Sequence, residues 1–324
     1  MEDSRAEHNP IRTPFRVSAH YYETLIHAAY YAPRGRMRLY MVASELAQRY
    51  LYPSDLIVGI IGAEGSGKST LIKGLFPGLE LTNDDDGVNL RPTPIYQFTP
   101  DNYFAPHTFH VDVRYELAFR QKYQLVEAIH RALAHGRRVV VEHFDQIYDA
   151  LGYNAQIIFG IGEEIIVARP NVFGPFPVAI KAVVQKTIKY RLMAHSAEDL
   201  TSFVLERDYN IRFPVQHSDV KHGFVINFQS EPQIHLAELE SKVKEIIQQQ
   251  LPITPAGEDR ISIGEHVLPC TGVRTHVKHT GQIENFRLVK KFQYHPLLKQ
   301  YMLIGIVGPR EPAGYGEITG EVEP

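Results

Sequence analysis

Gly62-Ala63-Glu64-Gly65-Ser66-Gly67-Lys68-Ser69 meets every fixed position of a pattern that runs glycine, four residues, Gly-Lys, then Ser or Thr. Backbone N–H groups in such a loop turn inward toward phosphate oxygens, and its glycines permit the dihedrals this requires. Just upstream, Leu56-Ile57-Val58-Gly59-Ile60-Ile61 is a short run rich in β-branched residues, the pattern of a strand covered on both faces. Just downstream, a helical stretch runs to Pro77-Gly78, and its first turn adds the positive end of a helix dipole. The order strand, glycine loop, helix reads as a phosphate-binding loop. Gly62, Gly65, Ser66, Gly67, Lys68, Ser69 and Thr70 are the expected contacts for a nucleoside triphosphate, taken here as ATP. Lys68 would reach the β- and γ-phosphates as a catalytic cation, and Ser69 would hold Mg2+.

Working outward, a helix is expected over Met37–Tyr50, with Leu39, Val42, Leu46 and Tyr50 at helical spacing and Pro53 just beyond. Arg114–Ala134 reads as one long helix, with Leu125, Ile129 and Leu133 on one face and Gly136 at its end. It leads into Arg138-Val139-Val140-Val141-Glu142, a second buried strand, and Gln156–Phe159 and Glu164–Ala168 are two more. Alternating strands and helices imply an α/β fold, a parallel sheet with flanking helices. The proline- and glycine-rich Arg169–Pro177 breaks that pattern and marks a domain boundary.

Beyond it come a helix around Ala179–Leu205, a strand at Gly223–Phe228 and an amphipathic helix carrying Leu236, Leu239, Val243 and Ile246. Strand-like segments at Arg260–Leu268, Asn285–Phe292 and Tyr301–Val307 complete an α+β reading. The expected layout is a loose arm over 1–18, a nucleotide-binding domain over 19–177, a second domain over 178–308 and an acidic tail over 309–324.

A length of 324 residues suits two domains. With 44% apolar and 22% charged residues, the composition is that of an ordinary globular protein. One cysteine excludes an internal disulfide framework and fits a reducing cytoplasm. The longest apolar run, near Leu56–Ala63, is far shorter than the roughly 20 residues of a membrane span, so no membrane contact is expected. Met1–Pro14 is polar and lacks the apolar stretch of a secretory signal. The net charge of −3 leaves nucleic-acid binding to a local patch. Lys181, Lys186, Lys189, Arg191 and Arg207 form one modest candidate, compatible with an acceptor stem and also with a solvated helix face, the commoner case.

A phosphate-binding loop needs a carboxylate at a neighbouring strand end. Glu142, or Asp145 just beyond it, occupies such a place. Asp84-Asp85-Asp86-Gly87 follows the strand-like Leu79–Thr82, and reads as a solvated turn or as a site. Here the chain resembles P-loop kinases of the uridine kinase type, in which an aspartate after the second strand faces the acceptor hydroxyl. That resemblance covers about half of the chain and would give Asp85 the catalytic role. An arginine-rich lid of the usual kinase kind is not found between the fourth and fifth strands. His110, Asp112 and Arg114 form a further polar group suited to an acceptor.

A second resemblance lies further along. Cys270-Thr271-Gly272-Val273-Arg274-Thr275-His276-Val277-Lys278-His279-Thr280-Gly281-Gln282-Ile283 looks like the closing motif of the second additional domain of alanyl-tRNA synthetase. That domain also occurs in threonyl-tRNA synthetase and in free-standing alanyl-tRNA editing proteins. Upstream, Met193–Leu200 resembles the family's histidine-bearing helix, and the similarity spans about Lys181–Val307. It implies an α+β editing-like domain, a zinc ion, and a partner that is tRNA or an aminoacyl ester, hydrolysed with help from the metal.

By the same resemblance His195, Asp199, Cys270 and His276 become the ligands, with two departures. Asp199 stands where the family has histidine, and five residues rather than three separate Cys270 from His276. Four protein ligands would make the ion structural, whereas an Asp199 too short to reach would leave room for water; a metal-free relic is the remaining alternative. Three functions stay open: an ATP-binding protein with an editing-like domain, a small-molecule kinase, and a nucleotide-dependent binding protein without turnover.

Overall fold

The computed structural model describes residues 25–84, 87–88, 93–100, 105–211 and 216–309. Asp85, the whole of the expected N-terminal arm and nearly all of the acidic tail lie outside the described residues. The chain enters through β1 (Ala28–Tyr31) and α1 (Arg36–Tyr50), which buries Leu39, Ala43 and Leu46. β2 (Ile57–Gly62) ends in the glycine loop, which opens α2 (Lys68–Leu75). A two-stranded hairpin of β3 (Asn83–Asp84) and β4 (Gly87–Val88) follows. Then come β5 (Thr108–Asp112), α3 (Val113–Glu116), α4 (Lys122–Ala134), β6 (Arg138–Glu142), α5 (Tyr148–Leu151), β7 (Ile157–Ile161) and β8 (Glu164–Ala168).

These strands build one sheet in the order β1-β8-β7-β2-β6-β5. β7, β2, β6 and β5 run parallel, and the continuous burial of their Val and Ile side chains reflects cover on both faces. The expectation of a wholly parallel sheet needs correction, because β8 and β1 are antiparallel. Only Gly162 and Glu163 join β7 to β8, and two residues allow a hairpin return but no crossover. The expected helix Arg114–Ala134 is likewise two helices. Asp112 caps α3, accepting a hydrogen bond from the Tyr115 N–H, and Gln121 and Gln124 form a reciprocal cap that restarts the chain as α4. Leu79–Thr82 is not a strand.

The second half begins with the 33-residue α6 (Pro177–Tyr209). β9 (Gln216–Val220), β10 (Gly223–Phe228), α7 (Leu236–Gln248), β11 (Ile253–Pro255), β12 (Arg260–Ile263) and β13 (His266–Pro269) follow. β14 (Arg287–Leu288), β15 (Gln293–His295) and β16 (Gln300–Ile306) complete the described chain. One antiparallel sheet has the order β14-β16-β10-β9, with β15 also paired to β16, and a second is β11-β12-β13. The expected strand Arg260–Leu268 folds back on itself at Gly264, whose φ of 59° suits the turn. Of the expected strand Asn285–Phe292 only Arg287–Leu288 pairs.

The boundary read at Pro177 coincides with the start of α6, yet α6 belongs to both halves. Ile180 and Val184 pack in the core of the first sheet, whereas Met193, Ala197, Leu200 and Val204 pack in the second core. A buried ionic cluster joins the halves as well. Arg34 contacts Glu198 at 2.8 Å and Asp219 at 3.0 Å, and also donates to the Gly223 carbonyl. Among the described residues no helix is long and apolar enough to cross a membrane.

Candidate nucleotide cleft and metal centre

The glycine loop adopts the backbone its sequence demands. Gly65 and Gly67 have φ of 72° and 89°, values that a side chain would strain. Gly62 is tight for a different reason, since a Cβ there would lie 2.7 Å from Ser66 Oγ and from Ile161. Gly65, Gly67, Lys68, Ser69 and Thr70 line a cleft of about 700 Å3, while Ser66 is buried beneath it. That volume falls within the roughly 300–1,000 Å3 of small-ligand sites. Lys68 Nζ donates to the Ala63 carbonyl at 2.9 Å and lies 3.6 Å from Glu142 Oε1.

Glu142 and Asp112 end neighbouring parallel strands and are register partners, so both carboxylates emerge at the mouth of the loop. Together with His143 their ligand atoms lie within 4.8 Å of one another. Thr82 donates its N–H to His110 Nδ1, which leaves Nε2 as the protonated nitrogen, 3.4 Å from Glu142 Oε2. Burial opposes the charge on Glu142, but His110 and then Lys68 outweigh it and hold the carboxyl below its ordinary range. His143 sits in the left-handed region at φ 59°, a costly conformation for a residue with a side chain and one that clusters at functional sites. Burial and Lys68 push its imidazole toward the neutral form.

Asp145 lies elsewhere. It pairs with Lys181 of α6 at 2.7 Å and takes no part in lining the cleft. Of the polar trio His110, Asp112 and Arg114, the last two line the cleft and the first braces Glu142. The basic patch proposed on α6 loses three of its five members. Lys181 is engaged by Asp145, Arg207 by Asp208, and Arg191 is buried beneath the glycine loop, where its guanidinium donates to the Ser66 and Pro33 carbonyls. Its place was legible in part, because Val184, Ile188, Arg191 and His195 recur at the spacing of one helix face.

The four residues of the second motif converge. His195, Asp199, Cys270 and His276 offer ligand atoms that all lie within 4.8 Å. Cys270 Sγ is 3.6 Å from His195 Nε2 and 3.8 Å from His276 Nε2, and Asp199 Oδ2 is 3.9 Å from His195 Nε2. Bond lengths of 2.0–2.3 Å put the edges of a zinc tetrahedron at about 3.3–3.8 Å. Only the 2.9 Å contact between His276 Nε2 and Asp199 is shorter, and it is a hydrogen bond.

The surroundings suit a metal as well. His195 Nδ1 is 3.1 Å from the Thr275 carbonyl, and donating to it leaves the Nε2 lone pair facing the centre. The Gly272 N–H donates to Cys270 Sγ at 3.3 Å. Burial holds His195 neutral, as a ligand must be, with His276 adding to the effect. Burial and the Asp199 charge push the Cys270 thiol up, so a cation is what would ionise it. Asp199 therefore reaches despite its short side chain, because α6 passes close to the 270–276 turn.

Several contributors to the cleft escaped the sequence reading, among them a wall from the second half and two arginines. Thr271–Thr275, the turn between the candidate ligands Cys270 and His276, lines it from the second half. Arg34 and Arg36 line it from the start of α1. In the sequence Thr271–Thr275 reads only as part of the Cys270–Ile283 motif and Arg34 and Arg36 carry no signal at all, because reaching the cleft depends on how the halves pack. No protein-family model matches the chain, and no curated protein matches it either.

Proposed function

We propose that this chain is a P-loop enzyme that binds ATP with Mg2+ and acts on, or responds to, an amino-acid ester such as the end of an aminoacyl-tRNA. The observation that carries the nucleotide reading is the convergence of the glycine loop, Lys68, Asp112 and Glu142 on one cleft. Ser69 with Asp112 would hold Mg2+, which supplies neutralisation of phosphate charge. Lys68 would exchange the Ala63 carbonyl for phosphate oxygens. Glu142, kept ionised by His110 and Lys68, is suited to take a proton from water or an acceptor hydroxyl.

The aminoacyl-ester part of the reading is supported by the motif around Cys270 and by its four converging ligands. Four protein ligands complete a tetrahedron, so the zinc in this reading is structural and ester hydrolysis at the metal is not assigned. A small-molecule kinase is the second reading, favoured by Asp112. It ends the second of the parallel strands in chain order, the place that the uridine kinase resemblance gives to an acceptor-facing aspartate.

One set of measurements tests these readings. Calorimetric titration with ATP and Mg2+ should show binding near one site per chain. ADP release should rise with misacylated tRNA and stay flat with nucleosides. Stimulation by a nucleoside instead would favour the kinase, and no heat of binding would end both.

A further inference from the structure

We propose that the metal-bearing turn completes the nucleotide cleft, so that zinc and nucleotide strengthen each other's binding, with Arg274 as the second half's cation toward the triphosphate. This rests on the nucleotide reading above and extends it to residues that no phosphate motif contains. Two physical links join the centres. The first is the turn itself: between ligands Cys270 and His276, residues Thr271–Thr275 form a wall of the cleft. The Arg274 carbonyl comes so near the glycine loop that a Cβ on Gly65 would lie 3.1 Å from it. The Thr271 carbonyl accepts the Arg36 N–H at 2.9 Å, which ties the same turn to the start of α1.

The second link is α6. Arg191 donates to the Ser66 carbonyl at 2.5 Å, and one turn further on His195 and then Asp199 enter the metal centre. Burial lowers the Arg191 guanidinium to about 10, so it stays charged at neutral pH under the phosphate loop. His195 then closes the circuit, since its second ring nitrogen meets the carbonyl of Thr275, a residue of the cleft wall.

Residues 270–278 contain no helix or strand. Turn and side-chain hydrogen bonds hold them instead, among them Thr275 to the Gly272 carbonyl and the Val277 N–H to Ser196, and a metal bound at both ends of the turn would tighten that arrangement. Arg274 is exposed and lines the cleft, where a guanidinium can pair with phosphate oxygens in bidentate fashion. Both ligands then favour one arrangement of the turn, and linkage makes the effect mutual.

The test uses the full chain loaded with zinc, with Mg2+ and a non-hydrolysable ATP analogue as the probe in calorimetry. Removing zinc with a chelator should weaken analogue binding by about tenfold or more, within the usual range of coupling. The analogue should raise zinc affinity by the same factor in competition with a chromophoric chelator. Arg274→Ala should weaken analogue binding by about tenfold while zinc content stays unchanged. Arg274 is exposed, so the variant leaves the core in place, and it tests the turn's cation even if the zinc-free chain does not stay folded. Analogue affinity within twofold of wild type in Arg274→Ala, or in the folded zinc-free protein, overturns the inference. So does a purified chain that takes up no zinc. Lys68→Ala separates the two levels: if it weakens binding about tenfold or more while Arg274→Ala stays within twofold of wild type, the nucleotide reading stands and the coupling falls. If the wild type binds no analogue, both fall.

Discussion

Lys68 holds its ammonium between the Ala63 carbonyl and Glu142, partners that a triphosphate would replace with stronger, fully charged oxygens. Lys68→Ala should therefore raise the ATP·Mg2+ dissociation constant by about 10- to 100-fold, the equivalent of one charged hydrogen bond of ~1.5–3 kcal/mol. Unchanged affinity by calorimetry would remove the phosphate-loop assignment. Glu142→Gln should cut turnover by about 10²–10⁴, the worth of a general base, while binding changes far less. Asp145→Asn makes the useful contrast. Its partner is Lys181, so it should lower thermal stability and leave turnover near wild type; a larger kinetic loss there than in Glu142→Gln would reverse the assignment. If His195, Asp199, Cys270 and His276 hold zinc as proposed, elemental analysis should find about one zinc per chain, and Cys270→Ser should bring it below about 0.2.

Among the elements, α1 and α2 meet at a point where only glycine fits. A Cβ on Gly74 would stand 2.5 Å from both the Ala43 Cβ and the Tyr40 carbonyl oxygen. Gly74→Ala must push the helices apart, at a cost of about 1–3 kcal/mol, and thermal denaturation should show the loss. An unchanged melting temperature would mean that the pair is looser than its geometry indicates.

Elements with strong local chemistry were legible in the sequence. β2 and β6 announce themselves as β-branched runs because both of their faces are buried, and the 223–228 strand and the α7 face follow from their patterns. What local pattern does not carry was missed. No proline or glycine lies between Val113 and Ala134, so the helical period runs on through the break that the Asp112 and Gln121 caps impose. At the site, Glu142 and Asp145 sit within three residues, and only the alternation of β6 against the turn after it sends them to different partners. Arg191 passed for a surface charge because arginine usually is one, and only the packing of α6 beneath the phosphate loop withdraws it.

For the whole molecule, the contact between the halves is sensitive to pH. Glu163, in the β7–β8 link, accepts the His222 backbone N–H and lies 3.3 Å from the His222 imidazole. Burial pushes the Glu163 carboxyl from 4.5 up to about 8, and burial together with Lys221 brings His222 from 6.5 down to about 4. In the folded state Glu163 holds a proton that the unfolded chain has released, so its contribution to stability falls as pH rises from 4.5 to 8. His222 works oppositely, because the unfolded chain holds the extra proton between pH 4 and 6.5 and stability rises across that window. The two slopes oppose each other below pH 6.5, and above it only the loss from Glu163 remains. The melting temperature should thus drop between pH 6.5 and 8 in the wild type and much less in Glu163→Gln. A drop of equal size in the variant would place the cause in other groups.

α6 also sets an order of events during synthesis. Its 33 residues make a rod of about 50 Å, at 1.5 Å per residue, that serves the first sheet with one end and the second core with the other. Gly160 and Gly162 are spaced for its approach: a Cβ on the first would meet Ile180, and on the second Thr187. A growing chain that has reached Pro177 has every strand of the first sheet but nothing to cover that flank, and no guanidinium to receive the Ser66 carbonyl. Until Arg191 clears the ribosome the glycine loop lacks the donor that seats its Ser66 carbonyl, and a nascent chain paused before that point would expose apolar surface to chaperones.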